Sequence, residues 1–193
     1  MNNKIIMLIL LLCSTLCIAQ VRGTSAIQII GGYEKNGYIA TGYYVNYASE
    51  ESYIKAGLHV HIEEIDVKIE NEKFPTSKMP IQLYLGSLEY YINLFDLDYK
   101  KNTRLFIGGG IIGGYENVNK GIKFLPDGRT IFADSKWIYG FTAALDLDMY
   151  LLTYGRHVDK LLSLTITPRY NYYLNSDIGN RQPNLLIGFK ITF

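Results

Sequence analysis

The stretch NLLIGFKITF, residues Asn184–Phe193, alternates between apolar and polar side chains with the two-residue period of a β-strand. The apolar face carries Leu185, Ile187, Phe189, Ile191 and Phe193, and the other face carries Asn184, Gly188, Lys190 and Thr192. One face therefore suits lipid and the other suits water, as in the strand that closes an outer-membrane β-barrel. In that interpretation Phe189, Ile191 and Phe193 form the barrel-closing signal. An amphipathic strand of a soluble sandwich or of a lipocalin-like barrel shows the same alternation, so the rest of the chain must distinguish them.

The start of the chain predicts export. A polar, basic beginning, the apolar run Ile5–Leu12 and small residues up to Ala19 are typical of a secretory signal peptide. The apolar run is too short for a membrane-spanning helix, which needs about 20 residues. We therefore expect a signal peptide over residues 1–19 and one β-barrel domain over residues 20–193.

Composition excludes several classes of function. Both cysteines, Cys13 and Cys17, fall inside the predicted signal peptide, so disulfides, thiolate catalysis and cysteine-ligated metals are not expected. Removal of Lys4 leaves 18 basic and 18 acidic residues, and a net charge of zero offers no basic surface to nucleic acid. Because no later stretch of about 20 apolar residues exists, entry into a membrane would require a barrel.

Eight segments of the chain show strand-like alternation bounded by turn residues. Eight is an even number, and each segment has about the ten residues that span a bilayer at barrel tilt. The sequence therefore predicts an all-β fold, a single antiparallel up-and-down barrel of outer-membrane type. The predicted strands are Ala26–Tyr33, Tyr38–Ala48, Ser52–Glu64, Pro80–Asn93, Thr103–Glu116, Trp137–Tyr150, Leu161–Leu174 and Asn184–Phe193.

The predicted connections alternate in length. Counted from an N-terminus in the periplasm, the odd connections face outward and include the two longest, Ile65–Lys78 and Asn117–Lys136. The even connections, at residues 49–51, 95–102 and 151–159, are shorter, and outer-membrane barrels show this asymmetry. Many of the 17 tyrosines also lie near predicted strand ends. This placement suits an interfacial aromatic girdle, although the ordinary β-propensity of tyrosine would also explain it.

Charged residues lie on the inward face of the last three predicted strands. Asp146 and Asp148 share that face of the sixth strand, Arg169 lies on the seventh and Lys190 on the eighth. Because buried charges in a narrow barrel must be paired, we predict a lumenal polar network in which the aspartates lie beside Arg169. Two further acidic residues expected in the same interior are Glu89 and Glu116.

The sequence contains few patterns that suggest chemistry. His59, His61 and Glu63 share one strand face with a spacing that suits metal ligation, but a polar lining of the lumen is the favoured interpretation. The run Gly108–Glu116 lacks the Lys-Ser or Lys-Thr pair of a phosphate-binding loop, and its glycines suit a tightly curved barrel. No nucleophile elbow is present. We therefore expect no enzymatic activity, no catalytic residue, no cofactor and no metal.

The segment Gly113–Leu151 resembles the conjugative transposon TraO family. The resemblance rests on a GYE-x-VN-x-G stretch, a DG loop, and an aromatic residue, Tyr and Gly at the start of an amphipathic strand with acidic residues. Chain length, signal peptide and the Gly-Phe-Lys ending are also similar, whereas the charged segment Ile65–Lys78 is not matched. The residues in common are Gly114, Tyr115, Glu116, Val118, Asn119, Gly121, Asp127, Gly128, Trp137, Ile138, Tyr139 and Gly140.

This resemblance implies a part in conjugative DNA transfer, as an outer-membrane component of a mating apparatus. It implies outer-membrane lipid and other conjugation proteins as partners, with no direct contact to nucleic acid and no small-molecule substrate. Two alternatives remain, a periplasmic or outer-membrane barrel that binds a small ligand and a surface adhesin. Fold alone does not decide among these functions.

Overall fold

The computed structural model describes residues 25–34, 37–68, 76–118, 135–154, 159–176 and 181–193. Eight β-strands make up nearly all of this part of the chain. No helix long and apolar enough to cross a bilayer occurs among these residues. The strands are β1 Ser25–Glu34, β2 Gly37–Ser49, β3 Ser52–Lys68, β4 Thr76–Asp96, β5 Thr103–Val118, β6 Ser135–Tyr154, β7 Asp159–Tyr173 and β8 Arg181–Thr192.

The eight strands close into one antiparallel barrel. Each strand pairs with the next in sequence, and β8 returns to β1 with a register that runs from Ala26 opposite Thr192 to Glu34 opposite Asn184. Closure leaves no strand edge with unpaired backbone groups, which is the condition for a sheet to lie in lipid. The predicted fold, an eight-stranded up-and-down barrel of outer-membrane type, is confirmed.

The two ends of the barrel differ. We call the end that carries Ser25 and Phe193 the terminal rim, and the opposite end, at Glu34 and Gly37, the far rim. The register shifts of the β2–β3, β4–β5 and β6–β7 pairs all lie toward the terminal rim. Bulges are common at the rims of barrels, where they increase strand twist and end the regular pairing.

One predicted loop is wrong. Both described ends of the stretch Ile65–Lys78 are strand, since β3 continues to Lys68 and β4 begins at Thr76, and the two strands pair there, while residues 69–75 lie outside the described residues. Beyond Glu64 the apolar residues change phase, since Ile65 and Val67 follow the odd positions of His59, His61 and Glu63, and this break together with Asp66 and Lys68 made the segment resemble a loop. The connection predicted at residues 151–159 is likewise shorter, while the middle of the predicted Asn117–Lys136 loop, residues 119–134, lies outside the described residues.

The outer wall is apolar and the inner wall is largely polar. In β8, Phe189 and Ile191 are 53% and 52% exposed, whereas Lys190 between them is fully buried. The same contrast appears on β3, where Leu58 faces outward and His59 faces the lumen. This polarity is that of a membrane barrel and the reverse of a soluble ligand-binding barrel.

Side chains fill the lumen. The ring of Tyr91 packs over Gly108, where a Cβ atom would lie 2.4 Å from the ring, so the glycine admits the large inward side chain beside it. Two apolar clusters lie in the interior, with polar residues around them. The first extends from Ala26 and Val45 near the terminal rim to Ile39 and Leu186, which both pair with Gly32 near the far rim. It also contains Ile30, Tyr43, Tyr53, Tyr91, Phe106 and Ala144, and the second cluster contains Ile81, Leu83, Leu85, Ile112, Val118, Ile138 and Tyr173.

Candidate functional site

Asp146 on β6 points into the lumen and is fully buried. Tyr53 on β3 and Thr167 on β7 each donate a hydrogen bond of 2.7 Å to its carboxylate, and the ammonium of Lys55 on β3 forms an ion pair with it. The ring of Tyr91 adds a cation–π contact, with Lys55 Nζ 4.6 Å from the ring centroid. The charge of Asp146 is therefore compensated and its hydrogen-bonding capacity is used.

Asp148, two residues further along β6, forms a second compensated site. Thr165 donates a 2.7 Å hydrogen bond to it, and Lys190 on β8 forms an ion pair with it. Lys190 also lies over the Tyr53 ring, 4.8 Å from the centroid, so Tyr53 contacts both the Asp146 and the Asp148 pairs. Both aspartates thus belong to one buried polar layer.

Arg169 belongs to a third pair and not to either aspartate. Its guanidinium reaches across the lumen to Glu89 on β4, with Nη2 2.5 Å from the carboxylate oxygen. Tyr91 and Ser87 donate further hydrogen bonds to Glu89, of 2.7 and 2.6 Å. The expected contact of Arg169 with Asp146 or Asp148 is therefore wrong.

The register explains this correction. Ala144 on β6 faces Arg169 on β7, and Asp148 faces Thr165, so the threonines and not the arginine lie across from the aspartates. We call the three pairs Lys55–Asp146, Lys190–Asp148 and Arg169–Glu89 the central network. Lys55 was not predicted as a member of this network, although its position on the polar face of an amphipathic strand indicated a buried cation that needed an acid.

A second polar cluster lies near the far rim. His61 Nδ1 on β3 is 2.9 Å from a carboxylate oxygen of Glu34 on β1. Asn184 donates to Glu34 at 3.2 Å, and Gln182 donates to Glu63 at 3.1 Å, both from β8. We call Glu34, His61, Glu63, Gln182 and Asn184 the far-rim cluster. All five side chains are buried.

His59 does not join the far-rim cluster. Its two ring nitrogens contact Thr41 at 3.0 Å and Ser87 at 2.7 Å, on the strands to either side of β3. Of the three residues that sequence analysis grouped, the structure therefore brings His61 and Glu63 together with Glu34 and leaves His59 as part of the lumen lining.

Arg104 connects two of the turns at the terminal rim. It donates to Asp96 at 2.8 Å and to the carbonyl oxygen of Glu50 at 2.6 Å, and it lies 3.2 Å from the Glu51 carboxylate. The turn at residues 97–102 is thereby held against the β2–β3 turn, which gives this rim a fixed shape.

Comparison with known proteins identifies the family. The family model described as conjugative transposon protein TraO matches residues 20–193. The chain belongs to the TraO family. The resemblance that the sequence analysis drew from Gly113–Leu151 is thus confirmed, and it extends over nearly the whole chain. No curated protein matches.

Two solved structures are similar to this TraO family member. The N-terminal β-barrel domain of Pseudomonas aeruginosa OprF is similar with a TM-score of 0.56 and 11% identity, over 90% of this chain and all of that chain. The attachment invasion locus protein Ail of Yersinia pestis is similar with a TM-score of 0.45 and 9% identity, over 88% of this chain and 96% of that chain. At these identities the comparison with OprF supports the barrel fold alone.

The segment that carries the TraO resemblance contributes to the central network. Its first part forms the far-rim half of β5, and its last part, from Trp137, runs along β6 to the two aspartates. Trp137 is exposed on the outer wall, and its ring contacts that of Tyr115 on β5 with centroids 5.8 Å apart. One strand of this TraO family barrel therefore presents aromatic residues to the outside and carboxylates to the lumen.

Proposed function

We propose that this TraO family member is a non-enzymatic outer-membrane barrel of the conjugative DNA-transfer apparatus. The family supports the link to conjugation, and the apolar outer wall supports insertion into the outer-membrane lipid. The observation that carries the proposal is the filled lumen, in which three ion pairs lie among packed apolar clusters. Such a barrel contacts its partners through its rims and its outer wall.

The filled lumen argues against catalysis and against a lumenal ligand. A general acid or base must reach the substrate, yet Asp146, Asp148 and Glu89 are buried and already bound to cations. An eight-stranded barrel is just wide enough for its own side chains. A small-ligand barrel would need an open lumen with an apolar lining, which these charges do not provide.

The terminal rim is the surface that we assign to contacts with other apparatus proteins. With the N-terminus in the periplasm, this rim faces the periplasm. Leu97 and Tyr99 are exposed in the 97–102 turn, and Tyr99 is completely exposed. Arg104 and Asp96 hold the base of that turn, so the two apolar side chains are presented from a fixed platform. Exposed aromatic residues on a rigid base are typical of protein contact sites.

Transfer assays in donor cells test the proposal. We expect that a donor lacking the gene transfers DNA poorly or not at all, and that the wild-type gene restores transfer. The double substitution Leu97→Asp with Tyr99→Asp should fail to restore it while the barrel still accumulates in the outer membrane. Lys100→Ser, a change at an exposed polar residue of the same turn, is the matched control and should restore transfer fully.

Two outcomes would count against different parts of the proposal. Undiminished transfer from the deletion donor would remove the conjugation role and leave the barrel intact as a finding. Full restoration by the Leu97 and Tyr99 double variant would remove only the rim assignment. Cell fractionation and heat-modifiable migration on a gel show in each case whether the folded barrel is in the outer membrane.

A further inference from the structure

Three side chains of the far-rim cluster offer metal-ligand atoms at one point. One ligand atom each from Glu34, His61 and Glu63 lies within 4.8 Å of the other two, and all three side chains are buried. Zinc binds carboxylate oxygen at about 2.0–2.2 Å and imidazole nitrogen at about 2.0–2.1 Å, which places tetrahedral ligand atoms about 3.4 Å apart. Small side-chain rotations would bring the three ligand atoms from within 4.8 Å of one another to that spacing.

The strand register creates this convergence. Glu34 on β1 faces Gly37 on β2, and Gly37 in turn faces Glu63 on β3. A Cβ atom at position 37 would lie 2.1 Å from the carbonyl oxygen of Ile62 and 2.9 Å from Glu63 Cγ, so only glycine fits beside β3 here. The close approach of β2 to β3 at this glycine accompanies the convergence of acids from β1 and β3 inside the barrel.

The far-rim cluster brings two acids together without a basic partner. Among the residues that the structure describes, no Lys or Arg forms an ion pair with Glu34 or Glu63, and their partners are one imidazole, two neutral amides and each other. Two carboxylates in one buried site cannot both stay charged without compensation, so one of them holds a proton when no cation is bound. A divalent cation would displace that proton and neutralise both carboxylates.

Unpartnered polar atoms at the cluster give an independent sign of a missing ligand. Gln182 Oε1 and Asn184 Oδ1 have no hydrogen-bond partner, although both side chains are more than nine-tenths buried, and His61 Nε2 is also unpartnered. Each amide group already faces a carboxylate through its nitrogen. A half-turn of the amide exchanges oxygen and nitrogen, so an amide oxygen then faces the cluster as a fourth ligand.

We propose that Glu34, His61 and Glu63 bind one divalent first-row transition-metal ion, with zinc as the best match and an amide oxygen of Gln182 or Asn184 beside it. One imidazole with two carboxylates is a ligand set that such ions accept. The ion neutralises the carboxylates and braces β1 against β3 across Gly37. This proposal replaces the expectation, drawn from His59, His61 and Glu63, of a polar lining without metal.

Metal titration of the untagged, detergent-folded barrel tests the site. After removal of metal with EDTA, Zn²⁺ is added and binding is followed by calorimetry, with Co²⁺ absorption as a second probe. We expect one saturable site per chain. His61→Gln and Glu63→Gln should each weaken binding by more than about tenfold.

The other two of the three histidines supply matched controls. His59→Gln and His157→Gln should bind Zn²⁺ within about twofold of the wild type, because neither residue belongs to the proposed ligand set. Heat-modifiable migration shows that each variant is folded. If His61→Gln does not fold, Glu63→Gln still tests the site, since it keeps the shape of the side chain and removes only the charge.

A stability measurement provides a second readout. Zn²⁺ should raise the urea midpoint of the wild-type barrel and leave that of Glu63→Gln unchanged, because a ligand stabilises only a protein that binds it. The proposal is overturned if the wild type shows no saturable Zn²⁺ binding, or if Glu63→Gln and His61→Gln bind as tightly as the wild type. Neither result affects the proposed role in DNA transfer.

Discussion

The central network and the far-rim cluster lie in the same lumen but balance their charges differently. In the central network each buried acid has its own Lys or Arg, in the pairs Lys55–Asp146, Lys190–Asp148 and Arg169–Glu89. In the far-rim cluster Glu34 and Glu63 share one imidazole and two amides, with no Lys or Arg paired to either among the described residues. The acids of the central network thus each have a cation of their own, whereas those of the far-rim cluster do not.

This difference assigns different roles to the two regions. A pair whose charges cancel can be sealed between apolar clusters, and it orders the inner walls of the strands that it joins. A cluster with an excess of acid depends on protons or cations from outside for its neutrality. The central network is thus a structural element, and we expect the far-rim cluster to respond to protons or cations in its surroundings.

Breaking a central pair should have the largest effect. Lys55→Met removes the cation of Asp146 but keeps a side chain of similar length, and it leaves a buried carboxylate without compensation. We expect the free energy of unfolding to fall by about 3–5 kcal/mol. Urea unfolding of the detergent-folded barrel measures this loss.

A second substitution tests the cause of that loss. Adding Asp146→Asn to Lys55→Met should recover part of the stability, because the uncompensated charge is gone. If the double variant is less stable than Lys55→Met by the full cost of Asp146→Asn alone, the two residues do not interact and the pairing is wrong.

The polarity of β8 was predictable from the sequence because strand alternation is a local property. The segment Asn184–Phe193 places Phe189 outside and Lys190 inside whatever its neighbours are. A barrel of eight strands was predicted by counting the segments that show such alternation. The extent of β3 was not predictable in this way, since Asp66 and Lys68 are compatible with either a strand beyond the lipid or a loop.

The partners inside the lumen were not predictable from the sequence. Arg169 reaches Glu89 across the barrel, a contact between residues 80 positions apart that depends on strand stagger and on which side chains fill the space between them. Glu34 was not grouped with His61 and Glu63 for the same reason, because only the register across Gly37 brings it to them. The alternation of a strand predicts on which face of the sheet a side chain lies, but not which residue of another strand it contacts.

The second prediction tests whether the central network and the far-rim cluster both lie on the inner face of β8. This strand contributes Lys190 to the central network and Asn184 to the far-rim cluster. Phe189→Lys places a charge on the lipid face of β8, and we expect a cost of about 2–4 kcal/mol near the bilayer midplane. Thr192→Ser on the other face is the control and should change stability little. Equal yields of folded, membrane-extracted protein from the two variants would show that the register of β8 is reversed.

The third prediction separates the observed partner of Arg169 from the expected ones. A double-mutant cycle with Arg169→Met and Glu89→Gln should give a coupling energy of about 1–3 kcal/mol, since the two groups share a short, buried ion pair. The same cycle with Asp148→Asn in place of Glu89→Gln should give a much smaller value. A larger coupling with Asp148 than with Glu89 would contradict the structure of the central network.

The smallest expected effect lies at the far rim, where neutralising an acid should cost little. In metal-free buffer, Glu63→Gln replaces an acid that shares its site with Glu34 by a neutral amide, and it keeps the oxygen that accepts the hydrogen bond from Gln182. We therefore expect the unfolding free energy to stay within about 1 kcal/mol of the wild type, or to rise slightly, because the amide has the shape of the acid and cannot add a second buried charge. Asp148→Asn, the equivalent neutralisation in the central network, should instead destabilise the barrel because it leaves Lys190 buried without its acid. A loss at Glu63 as large as that at Asp148 would mean that the far-rim acid is also fully compensated, and the contrast between the two regions of the lumen would be wrong.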